Sequence, residues 1–167
     1  MITQMSRLHL LLVFCGIVAL SQACRQAETT DCPPGWTQLD QNCYVYQCEP
    51  RSFLDAESVC NILGGNLVSI GSAKENAVVI ELIREGAGAM VDTWIGLHDA
   101  ILEDDFVWTD GRIVDFRNFG PNQPDNNAGN EDCVEIEATA DPLWNDDTCT
   151  EENTFVCIKP VVKNCCH

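Results

Sequence analysis

Gln123-Pro124-Asp125, Glu131-Asp132-Cys133 and Trp144-Asn145-Asp146 lie within about two dozen residues of one another in this 167-residue chain and carry its clearest structural signal. Gln123, Asp125, Glu131, Asn145 and Asp146 offer five carboxylate or amide oxygens on two neighbouring segments. Calcium is a hard cation that takes roughly six to eight such oxygens. Soft ligands are absent from the run apart from cysteines, so zinc and copper fit poorly. An acidic chain carries many solvated Asp and Asn loops; what sets these residues apart is their order.

That order resembles the C-type lectin domain. The family carries Gln-Pro-Asp or Glu-Pro-Asn, then a Glu eight positions after the tripeptide's first residue, then Trp-Asn-Asp just before a cysteine; here these are Gln123, Glu131 and Trp144-Asn145-Asp146 before Cys149. Trp94-Ile95-Gly96-Leu97 resembles the family's core motif, and Phe106-Val107-Trp108 and the turn Asp110-Gly111 follow it as they do in the family. The resemblance covers roughly Cys32 to Pro160 and implies an α+β fold, with two helices beside antiparallel sheets and a long calcium-binding loop. The chain resembles secreted, single-domain, galactose-type (Gln-Pro-Asp) members and is similar to the soluble lectins of fish.

Outside the domain, residues 1–23 read as a secretory signal peptide. Arg7 supplies the charge, Leu10 to Leu20 the apolar core, and Ser21-Gln22-Ala23 the small residues before a cleavage site. The apolar run is shorter than the roughly 20 residues of a membrane span. Residues 24–31 form a short N-terminal segment, 32–160 the domain and 161–167 a Cys-rich tail, giving one secreted, extracellular domain. The formal charge of −17 falls to −18 without the signal, which holds Arg7 and no acid. Such a balance argues against nucleic acid or an anionic membrane as partner, since both need a basic face. No Ser/His/Asp or Cys/His pattern points to an enzyme.

The count of eleven cysteines becomes ten without Cys15, an even number that reads as a disulfide framework in a small secreted chain. The resemblance implies Cys32–Cys43, Cys60–Cys157 and Cys133–Cys149. Cys24, Cys48, Cys165 and Cys166 remain. Cys48 to Cys165 or Cys166 is expected within one chain, and Cys24 is placed to link chains into a disulfide-bonded homo-oligomer.

Local patterns supply the other elements. Trp36–Leu39 and Tyr44–Tyr46 read as strands around a turn. Ser52 with Asp55, and Ser72 with Glu75, form capping boxes that start two helices. Ala56, Val59, Cys60 and Leu63 are the expected buried stripe of the first, which Gly64-Gly65 ends. The second is expected to run to about Glu85, with Val79, Ile80 and Ile83 inward and Gly86 as its stop. The segment from Asp115 to Asn130 has little periodicity, and so long a loop in a compact domain is usually functional or disordered. Cys133–Ile136 and Phe155–Ile158 read as closing strands.

The resemblance also implies the chemistry. A calcium ion held by Gln123, Asp125, Glu131, Asn145 and Asp146 binds two vicinal sugar hydroxyls directly, and the same side chains hydrogen-bond those hydroxyls. Pro124 is expected to follow a cis peptide bond, and Trp144 to support the loop from the core. A second calcium, present in some members, maps onto Asp99, Glu103, Asn126, Glu131 and Asp132, with Asn126 where those members usually carry Asp. Gln-Pro-Asp marks galactose-type members, but residues 126–130 lack the aromatic residue and glycine-rich insertion of strong galactose binders. Weak monovalent affinity is therefore expected. Glycans or glycoproteins are the implied partners. Type II antifreeze proteins of fish share the fold and, in some members, the tripeptide; a protein-binding module that uses calcium only to hold its loops is a third reading.

Overall fold

A computed structural model describes residues 31–162. Within them Cys32–Pro160 forms one compact unit. The signal, Cys24, Cys165 and Cys166 lie outside the described residues, as does any partner they give Cys48. Cys48 itself is exposed and unbridged among the described residues.

Eight strands form one sheet, in the order β1 (Thr37–Leu39), β2 (Asn42–Arg51), β8 (Asn153–Pro160), β4 (Thr93–His98), β6 (Cys133–Ile136), β7 (Trp144–Asp147). β3 (Asn66–Leu67) pairs with β8, and β5 (Val107–Trp108) pairs with β4. All pairings are antiparallel except β4 with β8. The β4 strand is buried along nearly its whole length because it runs centrally and is covered on both faces, which is why Trp94-Ile95-Gly96-Leu97 reads as a continuous apolar run. With the two helices the architecture is α+β, as the family resemblance implies.

Helix α1 (Phe53–Ile62) starts where the capping box sets it: Ser52 Oγ accepts from the Asp55 N–H at 3.3 Å and donates to Asp55 Oδ2 at 2.9 Å. Phe53, Ala56 and Cys60 are buried and Val59 packs partly beneath them. Leu63 departs from the expected stripe. It is the C-cap, and the chain reverses at Gly64 (φ 85°) toward β3, which leaves Leu63 on the surface.

Helix α2 (Ala73–Ala87) is capped by Ser72 Oγ, which accepts from the Glu75 N–H at 3.2 Å. It runs past Gly86, contrary to the expected stop. Gly86 faces Tyr46, where a Cβ would sit 2.2 Å from the ring, so its small size serves packing. Termination falls to Gly88, left-handed at φ 77°, whose N–H bonds Arg84 O at 2.9 Å. Val79 and Ile83 are buried and Ile80 is half-buried against the core.

Three disulfides staple the unit: Cys32–Cys43, Cys60–Cys157 and Cys133–Cys149. These are the pairs the resemblance implies. Cys60–Cys157 ties α1 to β8 across 97 residues, a closure that chain-entropy models value at about 4–5 kcal/mol.

Candidate functional site

Trp144 fixes the floor of the site. It is fully buried, meets Trp108, Phe116 and Phe119 edge-on at 5.9, 5.6 and 5.8 Å, and donates its indole N–H to Asn76 Oδ1 at 2.9 Å. Its backbone holds the start of the long loop: Trp144 N donates to Asn118 O and Gly120 N to Trp144 O, both at 2.9 Å. Gln123 N then donates to Gly120 O at 3.0 Å, and the tripeptide follows with a cis Gln123–Pro124 bond.

Next along β7, Asp146 is 1% exposed and takes the tripeptide's backbone onto its carboxylate. Asp125 N donates to Oδ1 at 3.0 Å and Asn126 N to Oδ2 at 2.8 Å. Glu131, just before β6, accepts from Asn127 N at 2.7 Å, and its own N–H donates to Asn126 Oδ1 at 3.2 Å. The long loop thus closes over the sheet on the site's own acids, and Cys133–Cys149 binds the two flanking segments together.

The result is a crowded set of negative oxygens. Ligand atoms of Asp125, Glu131 and Asp146 all lie within 4.8 Å of one another. Burial raises the Glu131 carboxyl above its ordinary range; the Asn127 N–H opposes this, and the charges of Asp146 and Asp125 add to the rise. The three ion pairs among the described residues, Arg51–Glu49, Lys74–Asp40 and Arg112–Glu75, lie elsewhere. Gln123 Oε1 is buried with no hydrogen-bond partner. Asn145 donates one Nδ2–H to Glu135 Oε1 at 3.2 Å, which leaves its Oδ1 and the other N–H unclaimed by that contact. Hard, anionic and partly unsatisfied, this donor set fits calcium and lacks the nitrogen and sulfur that zinc prefers.

A second polar pocket of about 310 Å³ adjoins the first cluster and is lined by Asp99, Glu103, Asp104, Asp125, Asn126 and Asp146, with Phe106 and Pro124. Asp99 is 3% exposed. Its Oδ2 accepts from Asp104 N at 2.9 Å, while its Oδ1 is buried without a partner. Burial pushes its carboxyl upward, partly offset by the Asp104 N–H. Of the five residues expected to hold a second calcium, Asp99, Glu103 and Asn126 line this pocket. Glu131 belongs to the first cluster, and Asp132 reaches Asp99 through its backbone oxygen, 3.1 Å from the Asp99 N–H. Asp104 was not among the expected residues. Its left-handed backbone (φ 65°), which turns it into the pocket's wall, has no signature in an Asp-Asp pair.

Residues 49–159 match the family described as Lectin C-type domain. The chain belongs to the C-type lectin domain family. It is 35% identical over 157 residues to an alpha-N-acetylgalactosamine-specific lectin of Patiria pectinifera, covering 87% of this chain and 93% of the relative. It is 31% identical over 149 residues to the galactose-specific lectin nattectin of Thalassophryne nattereri, covering 89% and 92%. Among solved structures, herring type II antifreeze protein superposes with a TM-score of 0.72 at 28% identity, covering 78% of this chain and all of that one. Among the described residues of this C-type lectin domain, no helix is long and apolar enough to cross a membrane.

Proposed function

We propose that this chain is a secreted, calcium-dependent lectin that binds galactose-type sugars, released after loss of residues 1–23. The observation that carries the reading is the cluster of Asp125, Glu131 and Asp146 within 4.8 Å, without a cation partner and beside the unpaired Gln123 Oε1. Gln123, Asp125, Glu131, Asn145 and Asp146 would hold the ion, which supplies an electrophilic seat for two vicinal hydroxyls. The side chains set the stereochemistry. The Gln123 amide can donate to a hydroxyl, whereas the Asp125 carboxylate only accepts. Two relatives named for galactose or its N-acetylamino derivative support this choice of sugar.

Residues 127–129 make a short 3₁₀ turn, and no aromatic side chain stands between Pro124 and Cys133 to stack on the sugar's apolar face. Monovalent affinity is therefore weak, and avidity comes from presenting several sites together. Asp99, Glu103, Asn126, Glu131 and Asp132 would hold a second calcium, with Asp104 as a further acid at the same pocket.

The likeness to herring antifreeze protein favours a second reading, in which the same face meets ice. Retention on immobilised galactose in calcium and elution by a chelator, run beside an ice-growth assay, separates the two. Retention with elution supports the lectin. Failure to bind galactose with slowed ice growth replaces it.

A further inference from the structure

Glu135 is a buried acid flanked by amides. It lies on β6 between Val134 and Ile136, is 4% exposed, and has no cationic partner among the described residues. Its two oxygens are instead taken by two amides. Asn145 Nδ2 donates to Oε1 at 3.2 Å and Asn153 Nδ2 to Oε2 at 2.7 Å. The first contact is set by register, because Glu135 and Asn145 stand directly opposite on paired strands. The second reaches β8, two strands away across β4.

A carboxyl without a cation is a costly way to fill a buried position. Burial alone would favour an apolar residue at this position. What Glu135 does that Val or Ile cannot is fix an amide. Asn145 can present either end to a metal by rotating about its last bond, and only the oxygen is a ligand for calcium. An acceptor opposite Nδ2 selects the rotamer with nitrogen toward Glu135 and oxygen away from it. One N–H then remains for a sugar hydroxyl. Asn153, holding the other carboxyl oxygen, keeps Glu135 itself from turning.

We propose that Glu135 is a positioning residue, pinning the Asn145 amide so that Oδ1 faces the metal and the second N–H faces the sugar. This rests on the calcium site proposed above. Groups that orient metal ligands typically change metal affinity by about 10- to 100-fold when removed.

Calcium titration calorimetry on the whole domain, with melting in EDTA as a measure of folding, tests the assignment. Glu135→Ala should raise the calcium Kd about tenfold. Glu135→Gln, whose amide oxygen can still accept from Asn145, should recover most of that loss. Asn153→Ala, which frees Glu135 to turn, should lower the melting temperature and raise the calcium Kd by less than Glu135→Ala does. If all three variants shift only the melting temperature, Glu135 is a structural staple and the proposal fails. A further readout needs no variant: one Asn145 side-chain N–H of calcium-free protein should exchange slowly with solvent. Exchange as fast as an exposed amide overturns the proposal even if Glu135→Ala does not fold. Wild-type protein that takes up no calcium overturns both this role and the site it rests on. Wild-type binding with an unchanged Glu135→Ala overturns this role alone.

Discussion

Neutralising Asp125 should change sign with the metal. The Asp125 side chain is exposed and accepts no hydrogen bond among the described residues; only its backbone N–H is used, by Asp146. Asp125→Asn therefore removes charge and little else. In metal-free protein that charge is a liability, because Glu131 and Asp146 oxygens lie within 4.8 Å. Each pair costs about 0.9 kcal/mol at the dielectric of water. Physiological salt roughly halves this. Burial of Asp146 and half-burial of Glu131 lower the local dielectric and raise it again. The two pairs together come to about 1–2 kcal/mol, so Asp125→Asn should raise the melting temperature in EDTA by about 3–7 °C for a domain of this size. With calcium the sign inverts. Extracellular calcium modules bind at roughly 10⁻⁴–10⁻³ M, so 10 mM calcium should stabilise the wild type by about 1.4–2.7 kcal/mol. The variant loses a carboxylate ligand and should gain under about 1 kcal/mol from the same addition, by the same linkage. Thermal unfolding by circular dichroism of both proteins, in EDTA and in 10 mM calcium, reads the four values. A variant that melts below wild type in EDTA, or a wild type indifferent to calcium, would show that these carboxylates neither repel one another nor share an ion.

Three further outcomes follow from the same geometry. Burial holds the Glu135 carboxyl at about 8, against the pull of the Asn145 amide, and burial also raises Asp99 and Glu131. The folded, metal-free protein then keeps protons that the unfolded chain releases above about 4.5. Its stability should fall as pH rises, by up to about 1.4 kcal/mol per unit for Glu135 and most steeply from about 6.5 to 8, because burial lowers the pKa of His98, which pulls the other way below about 6.5. The calcium increment runs the other way, because ionised acids bind the ion and it is lost as pH falls; melting curves at pH 5, 6.5 and 8 with and without calcium should show the two slopes opposed, and parallel slopes would contradict this. Gln123→Glu with Asp125→Asn keeps the total charge while exchanging donor and acceptor, so retention should move from galactose to mannose columns with calcium binding kept; a mispaired buried hydroxyl costs about 1–3 kcal/mol. Trp144→Phe leaves Asn76 Oδ1 without its donor and opens a small cavity, so it should cost about 2–4 kcal/mol in denaturant titrations and weaken calcium binding through Asn145 next to it.

How much of this was legible beforehand differs by element. Trp94 was readable as core because a large apolar ring in a continuous apolar strand has few other places to go, and Trp144 through the family resemblance; both are buried. Ser52 and Ser72 marked helix starts because capping is a contact between residues three apart. Helix ends were less legible. Gly86 and Gly88 look alike in a sequence; the packing of Tyr46, 40 residues earlier, decided that the first lies within the helix and the second ends it.

Residue types and their order were enough for the family, for the three disulfide pairs through that family, and for the succession of oxygen-bearing residues. These follow from residue types and spacings along the chain, which homologous folds preserve. Which oxygens meet is a matter of the folded chain. The convergence of Asp125, Glu131 and Asp146 depends on backbone N–H groups of Asp125 and Asn126 closing onto Asp146 from about 20 residues away. Asp104 enters its pocket through a backbone turn, and Glu135 finds Asn145 through strand register. A hydrogen bond or a metal site is set by positions to a fraction of an ångström. Residue spacing along an irregular loop leaves those positions open until packing closes them.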